Sequence, residues 1–322
     1  MKTCFVSRFG GYGDMMHCAH LPKLLKEHYG INQLDWETNH QGYQILQNNM
    51  YIDNLIHIDA KKITENRLRN NWDYCKEKYD LCFNLVYTIE LEYCLNETDR
   101  NFYRNAEYRR KNFGQISYYD VMTKACNLPD KYLGTRGTLF YSDADHASAK
   151  EWVAKKKEKY DRLILVNISG SSLHKRFVQH KSIVTKILEK YPKCLVILTG
   201  DEHCKGEVWE HERIISWVGK KNFRTVALMT KYLDLTISVE TGLPLVAHSW
   251  DAPCLQLLTA ASFENHVMGA KNAYWLQSPA PCSPCHKNCR EYWGCPTKDK
   301  MPACVWFSED EIMKKVEEAL GA

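Results

Sequence analysis

The chain has 322 residues, of which 44% are hydrophobic and 25% are charged, and its formal net charge is +4. This is the composition of a globular protein that is long enough for two domains. No stretch approaches the roughly 18 apolar residues of a membrane helix, and the first residues lack the apolar core of a signal peptide, so we expect a cytoplasmic protein. The modest charge neither requires nor excludes a nucleic-acid partner.

Eight short apolar segments are predicted to form buried parallel strands. In chain order they are residues 4–9, 33–36, 54–58, 81–84, 162–168, 194–199, 235–238 and 254–258. Helical patterns lie between the strands, for example at residues 15–28 and 179–190, and this alternation predicts βαβ units. A charged helix predicted at residues 143–160 separates the two halves. The sequence therefore predicts an α/β protein with one domain at residues 1–159 and a second at residues 160–322.

A glycine-rich turn follows the first predicted strand. Its sequence, FGGYGD, brings Gly10, Gly11 and Gly13 close to Asp14, which stands where the next helix begins. Three glycines in four positions let the backbone approach a ligand without a Cβ in the way, and such turns are frequent ligand sites in open α/β sheets. The Asp14 carboxylate is therefore either a cap for the helix or a base for a bound hydroxyl.

A second turn, ISGSSLHKR, follows the strand predicted at residues 162–168. Its Ser171, Ser172, Lys175 and Arg176 are residue types that hold a diphosphate through hydroxyls, a point charge and a planar guanidinium. The helix start that follows favours anions as well. The other interpretation is an ordinary serine-rich loop with exposed basic residues.

Two later strand ends carry further candidates for ligand binding. Thr241 and Gly242 open a helix whose first N–H groups favour an anion. Glu240, just before them, either accepts a bond from a sugar or ribose hydroxyl or is a carboxylate stabilised by the helix dipole. Glu202, in TGDEHC, is either a ribose ligand or a solvated loop residue.

The segment at residues 99–120 is rich in arginine and aromatic residues, with four Arg and one Lys among six aromatic side chains. Such a stretch can hold phosphates or stack on bases. The alternative is a helix and loop packed by its aromatic residues, with the arginines in solvent.

The cysteine-rich tail at residues 282–304 contains Cys282, Cys285, Cys289 and Cys295 as candidate metal ligands. In a reducing compartment, closely spaced cysteines favour a metal over disulfides, and four thiolates suit zinc. The spacing lacks the second C-x2-C pair of a zinc ribbon, so buried or redox-active thiols are the alternative. A zinc ion here would be structural and would take no part in the chemistry.

Four segments together resemble the heptosyltransferase family of glycosyltransferases. Residues 8–26, 168–176, 239–257 and 282–295 are similar to the family's opening Gly-Asp turn, its donor-phosphate loop, its Asp-Thr-Gly helix start and a cysteine-rich tail of some members. Two positions depart from the pattern. Glu240 stands where the family usually has Asp, and Leu245 stands where it has His, with His248 three positions later.

The resemblance implies the GT-B architecture, in which two Rossmann-like domains face each other across a cleft. It implies an inverting, metal-independent glycosyltransferase that needs no cofactor besides its nucleotide-diphosphate sugar, which is a heptose sugar in this family. Asp14 would be the base on the acceptor side, and the second domain would bind the donor. The acceptor would be a glycan or the core of lipopolysaccharide, reached by peripheral membrane association.

Three alternatives to that function stay open at the level of the sequence, and one of them makes the cysteine-rich tail the functional centre, as a metal or redox site. The arginine-rich segment permits a nucleic-acid base as the acceptor, and salt-sensitive DNA binding would favour it. The altered residues Glu240 and Leu245 permit a non-catalytic protein of the same fold that binds a nucleotide sugar without turnover.

Overall fold

The structure, a computed structural model, describes residues 1–59, 61, 64–86, 88–89, 100–287, 295 and 301–321. The chain divides into two compact units, one formed by Met1–Tyr93 with Ile116–Ser142 and the other by Cys94–Gln115 with Asp143–Ala322. Each unit is built on a parallel sheet of its own. The predicted α/β class is therefore confirmed.

Strands and helices alternate along the chain up to residue 142. They are β1 (Thr3–Ser7), α1 (Tyr12–Met16), α2 (Leu21–Tyr29), β2 (Gln33–Thr38), α3 (His40–Leu46), β3 (Asn54–His57), α4 (Glu65–Lys78), β4 (Leu81–Asn84), α5 (Ala106–Phe113) and α6 (Tyr118–Ala125). The sheet order is β3-β2-β1-β4. Val6 of β1 is in register with Trp36 of β2 and Phe83 of β4, and all three side chains are buried. Because the strands are parallel, the turns after β1 and β2 lie at the same edge of the sheet.

The helix predicted at residues 15–28 is two helices, α1 and α2, joined by a tight turn. Pro22 lies in the first turn of α2, where its missing N–H costs nothing. Within one continuous helix, the same proline would remove a hydrogen bond and collide with the carbonyl of residue 18. Instead, the N–H of Leu21 donates to the carbonyl of Cys18 at 3.0 Å. The break turns the chain directly after the glycine-rich turn.

The second half of the chain continues the same alternation. Its elements are α7 (Asp143–Lys157), β5 (Arg162–Asn167), α8 (His180–Lys190), β6 (Cys194–Thr199), β7 (Ile214–Ser216), α9 (Phe223–Met229), β8 (Leu235–Val239), α10 (Gly242–Ser249), β9 (Cys254–Leu258), α11 (Phe263–His266), β10 (Ala273–Gln277) and α12 (Glu309–Leu320). The sheet order is β10-β9-β8-β5-β6-β7, with parallel pairing throughout the described strands. Every residue of β6 is buried, as in sheets covered on both faces.

All eight predicted strands are present, with ends within two residues of the predicted positions. The sequence prediction missed β7 and β10, which form the two edges of the second sheet. Their residues are only partly buried, because an edge strand has a neighbour on one side alone. Neither strand therefore carries the short, fully apolar run that identifies a central parallel strand.

The domain boundary differs from the predicted position between residues 159 and 160. Helix α7 belongs to the second unit, whose longer segment begins at Asp143. The second unit also includes Cys94–Gln115, which carries α5. Two lysines of α7 show why the helix belongs there: Lys157 donates to Asp234 at 2.6 Å, and Lys156 lies over the Trp152 ring, which contacts Trp217. Within the described residues, no helix is long and apolar enough to cross a membrane.

Candidate functional site

The turn after β1 holds Asp14 inside the first turn of α1. Gly11 is the N-cap of the helix, and its N–H donates to Oδ2 of Asp14 at 2.7 Å. The Asp14 side chain folds back over Gly10, so that a Cβ added at Gly10 would lie 2.6 Å from the Cβ of Asp14. The carbonyl of Gly13 accepts from the N–H of His17 at 3.1 Å. Asp14 therefore caps the helix with one carboxylate oxygen, and the residue as a whole is half-buried.

Asn39 fixes the same turn from the end of β2. Its Nδ2 donates to the carbonyl of Gly10 at 2.9 Å, while its Oδ1 accepts from the N–H of Gly42 at 3.2 Å as the cap of α3. The sequence prediction missed this residue. An Asn directly after a strand and before a helix, next to the glycine turn in a parallel sheet, is the signal that would have found it.

The turn after β5 forms one wall of a cavity of about 450 Å³. Among the predicted donor residues, Ser171, Ser172 and Arg176 line this cavity. Lys175 is not among the lining residues. It lies beside Gly170, where an added Cβ would be 2.7 Å from the Cβ of Lys175 and 2.9 Å from Cγ2 of Thr241. The loop thus presents two hydroxyls and one guanidinium to the cavity, and Lys175 lies nearer to the turn after β8.

Asn167 ties the turns after β5 and β8 together. Its Nδ2 lies 2.9 Å from the carbonyl of Ser169, 2.9 Å from Oγ of Ser238 and 3.3 Å from Oγ1 of Thr241. Thr241 caps α10 by accepting from the N–H of Leu243. The strand-end asparagine was not singled out in the sequence, because only the structure shows which polar groups it meets.

At the end of β6, the acidic residue at the cavity is Asp201 and not Glu202. Asp201 lines the cavity with His203 and Cys204, and the hydroxyl of Ser169 donates to its Oδ2 at 3.2 Å. Glu202 is absent from the lining residues, is exposed and pairs with Lys205. The hydrogen bond from Lys205 lowers the pKa of the Glu202 carboxyl. The structure therefore favours a solvated Glu202 over a ribose ligand, with Asp201 in the position that was expected for it.

Glu240 is 2% exposed, and its carboxylate is surrounded by protein donors. Oε1 accepts from the N–H groups of Thr259 at 2.6 Å and Ala261 at 2.8 Å. Oε2 accepts from the N–H of Ala260 at 3.2 Å and lies 3.2 Å from Oγ1 of Thr259. Burial raises the pKa of Glu240, while the Lys175 charge and the three amides oppose the rise. The carboxylate thus shapes the turn after β9, and a hydroxyl of a ligand would have to compete with three backbone N–H donors.

His174 joins the cavity to that same turn. Its ring lines the cavity, and its backbone carbonyl accepts from Oγ1 of Thr259 at 3.0 Å. Burial, with a smaller contribution from Lys175, lowers the pKa of His174 to about 3. The imidazole is therefore neutral at pH 7, and Oγ of Ser172 lies 3.1 Å from its Nδ1.

The cysteine-rich tail contributes one wall of the cavity, through Cys295 and Pro302. Burial and, to a smaller extent, other cysteine thiols of the tail raise the pKa of Cys282 and of Cys304. Within the described part of the chain, no group of three or more His, Cys, Asp or Glu side chains is arranged to hold a metal ion. Cys289 lies outside the described residues. The predicted metal site therefore stays a prediction.

The arginine-rich segment is attached to the cysteine-rich tail. Arg109 of α5 is buried, and its Nε donates to the carbonyl of Cys285 at 2.7 Å. Arg110 donates to the carbonyls of Pro281 and Ser283. Arg104 lies over the Tyr108 ring. Two of the four arginines thus bind backbone carbonyls, which neither expectation for this segment included. Arg100 and Arg104 are exposed, which agrees with the expectation of solvated arginines.

Comparisons with known proteins identify the fold. No protein-family model matches the sequence, and no curated protein matches it either. A family 9 glycosyltransferase from Veillonella parvula aligns over 99% of this chain and 97% of its own, with a TM-score of 0.67 at 15% identity. The ADP-heptose lipopolysaccharide heptosyltransferase II of E. coli aligns over 99% and 98%, with a TM-score of 0.64 at 12% identity.

A third structure is TibC of enterotoxigenic E. coli, an iron-containing dodecameric glycosyltransferase. It covers 100% of this chain and 79% of its own, with a TM-score of 0.63 at 10% identity. At such low identities the similarity concerns the fold. The expected GT-B fold, similar to that of heptosyltransferases, is therefore confirmed.

Proposed function

We propose that the protein is a glycosyltransferase that moves a sugar from a nucleotide-diphosphate donor to an acceptor hydroxyl. The observation that carries this proposal is the cavity after β5 and β6. There, Ser171 and Ser172 offer hydroxyls, Arg176 offers a guanidinium, and Asp201 follows the neighbouring strand β6. These are the groups that a nucleoside diphosphate requires, because its phosphates need donors and positive charge and its ribose needs an acceptor. The solved structures of the same fold include heptosyltransferases, which supports the choice of reaction.

The donor side of the proposal uses the three strand ends described above. Ser171, Ser172 and Arg176 would bind the diphosphate, and the first turn of α10, from Thr241 and Gly242, would supply backbone N–H groups to it. Lys175 would add a point charge nearby. The carboxylate of Glu240 would hold the turn after β9 in place.

The acceptor side of the proposal depends on Asp14. Its carboxylate would take the proton from the acceptor hydroxyl while that oxygen forms a bond to the anomeric carbon. At the same time the bond from that carbon to the phosphate oxygen breaks, and the nucleoside diphosphate leaves with the electron pair on the side opposite to the attack. The configuration is therefore inverted. The positive charges of Arg176 and Lys175 would stabilise the leaving group, so that the chain's own residues suffice for the reaction.

We further propose a glycan hydroxyl, such as that of a lipopolysaccharide core, as the acceptor. One structure of this fold is named as a lipopolysaccharide heptosyltransferase. The alternative of a nucleic-acid acceptor loses its main support, because Arg109 and Arg110 donate to protein carbonyls. The non-catalytic alternative is favoured by no contact in the described residues, and the test below separates it from the enzyme.

A thermal-shift screen with nucleoside diphosphates and their sugars tests the donor site, and nucleotide release with a glycan acceptor tests turnover. A nucleotide present at 100 times its dissociation constant adds about 2.7 kcal/mol of stability. We expect a shift with one nucleotide family, and we expect Asp14→Asn to abolish nucleotide release while donor binding stays nearly intact. Binding by the wild type without turnover on any acceptor would favour the non-catalytic alternative, and loss of donor binding in Asp14→Asn would overturn the role of Asp14 as the base.

A further inference from the structure

Arg176 reaches the donor cavity from the turn after β5. It follows the 3-10 turn Leu173–Lys175 in an extended backbone conformation, and its side chain lines the cavity with Ser171 and Ser172. The guanidinium forms an ion pair with Glu207, and its Nη2 lies 3.9 Å from Sγ of Cys204. Both contacts are to the connection that follows β6, so the position of Arg176 is set by a neighbouring strand end.

Glu207 contacts Arg176 without belonging to the cavity wall. It is the last residue of the 3-10 helix Glu202–Glu207, and it is not among the residues that line the cavity. Its side chain is 31% exposed and that of Arg176 is 27% exposed, so the pair is partly shielded from water. A ligand in the cavity would therefore meet the guanidinium, while the carboxylate holds that guanidinium from the other side.

His180 does not compete with Arg176 for the Glu207 carboxylate. Its Nδ1 donates to the carbonyl of Phe177 at 2.7 Å, and this nitrogen is 3.9 Å from Oε2 of Glu207. Burial lowers the pKa of His180, and the charges of Arg176 and Lys181 lower it further, although the bond to Phe177 opposes them. The imidazole is neutral at pH 7, and Arg176 is then the cation that pairs with Glu207.

We propose that Glu207 is a positioning residue, which holds the Arg176 guanidinium in place for the diphosphate of the donor. This inference rests on the proposed function. An arginine side chain has much rotational freedom to lose when it binds a ligand, and a partner that fixes it beforehand removes that cost. A guanidinium has five N–H donors, so a carboxylate on one edge leaves donors for phosphate oxygens on the other.

Glu207 could also have the opposite effect, which is to weaken diphosphate binding. Its negative charge repels a diphosphate and competes with it for Arg176. The two effects have opposite signs: positioning means that removal of the carboxylate weakens diphosphate binding, whereas competition means that removal strengthens it.

Isothermal titration of ADP, GDP, UDP and CDP, and of the four matching nucleosides, tests the proposal. The proteins compared are wild type, Glu207→Ala, Glu207→Gln, Arg176→Ala and the double variant Glu207→Ala with Arg176→Ala. We expect Glu207→Ala to raise the Kd of the bound nucleoside diphosphate by about three- to tenfold, which is the entropy of one freed side chain. The Kd of the matching nucleoside should not change, since the nucleoside has no phosphate to contact Arg176.

The double variant and the control separate positioning from a general structural effect. In the Arg176→Ala background, Glu207→Ala should not weaken diphosphate binding any further. Glu207→Gln keeps one acceptor oxygen and should raise the Kd less than Glu207→Ala does, and it takes over the test if Glu207→Ala fails to fold. Glu212→Gln removes an exposed carboxylate from the same connection and should leave both dissociation constants unchanged.

Five outcomes overturn the proposal. Tighter diphosphate binding by Glu207→Ala would show competition, and an equal loss of nucleoside and diphosphate binding, or a loss that persists without Arg176, would show a structural role. An unchanged Kd in Glu207→Ala would show that Glu207 has no role in diphosphate binding, while the proposed donor site would be unaffected. If the wild type binds none of the four diphosphates, the proposed donor site fails together with the inference.

Discussion

The buried carboxylate of Glu240 gives the sharpest prediction about stability. In Glu240→Gln, the amide oxygen can take the place of Oε1 and still accept hydrogen bonds from the N–H groups of Thr259 and Ala261. The amide NH₂ then faces the N–H of Ala260, which donates to Oε2 of the native carboxylate at 3.2 Å. The substitution therefore preserves the shape of the side chain and two hydrogen bonds, but it places the amide NH₂ opposite the N–H of Ala260, where neither group can accept.

The magnitude follows from those contacts. A buried N–H without an acceptor costs about 1–3 kcal/mol, and a bond to a charged acceptor contributes about 1 kcal/mol more than one to a neutral acceptor. With one lost bond and two weakened ones, Glu240→Gln should lower the free energy of unfolding by about 3–5 kcal/mol. Glu240→Ala leaves three amides without this acceptor and should cost more than Glu240→Gln.

Urea denaturation followed by circular dichroism measures the effect, with Asp251→Asn as the matched control. Asp251 forms an exposed pair with Lys271 at 3.7 Å, and such pairs contribute about 0–1 kcal/mol. The reasoning fails if Glu240→Gln is as stable as Asp251→Asn but binds the nucleotide sugar more weakly, because Glu240 would then act on the ligand.

The remaining predictions concern pH, the glycine turn and the arginine helix. His20 and His174 each have a pKa lowered to about 3 by burial, so below about pH 6.5 the unfolded state binds more protons than the folded state. Urea unfolding at about pH 5 should therefore give a free energy of unfolding that is lower than at pH 7 by up to about 2 kcal/mol per histidine. Gly10→Ala places a Cβ 2.6 Å from the Cβ of Asp14 and should lower kcat about tenfold or more with an unchanged donor Kd, whereas an equal fall in donor affinity would contradict a local effect on Asp14. Arg109→Met leaves the carbonyl of Cys285 without this donor and should lower the free energy of unfolding by about 2 kcal/mol. Thermal or urea unfolding measures this effect, and an unchanged stability would show that the contact contributes nothing.

The central strands could be predicted from the sequence, and the strands at the sheet edges could not. A residue such as Ile164 or Val196 is covered on both faces of the sheet and has a neighbouring strand on each side. Its strand is therefore an apolar run that can be recognised in the sequence. Trp275 on the edge strand β10 is 38% exposed, and its strand has no such run. The break between α1 and α2 was predictable in principle, since Pro22 imposes it locally.

The candidate residues of the site could be chosen from their local context, whereas their contacts depend on distant parts of the chain. Glycine turns and strand ends mark where ligands meet an α/β sheet, so Asp14 and Ser171 could be singled out from short motifs. The partners of Glu240 lie 19 to 21 residues away, and those of Arg109 include a carbonyl 176 residues away. No local pattern encodes such contacts.

Arginine shows most clearly why residue type alone does not assign a function. A guanidinium offers N–H donors and a positive charge, and carboxylates, phosphate oxygens and backbone carbonyls all satisfy those donors. Arg109 and Arg176 are equal in this respect, yet the first is 6% exposed and bound to carbonyls, while the second lines a cavity and is held by a carboxylate. Only an arginine with donors facing open space can take a phosphate, and by that criterion Arg176 is a better candidate for an anion ligand than Arg109.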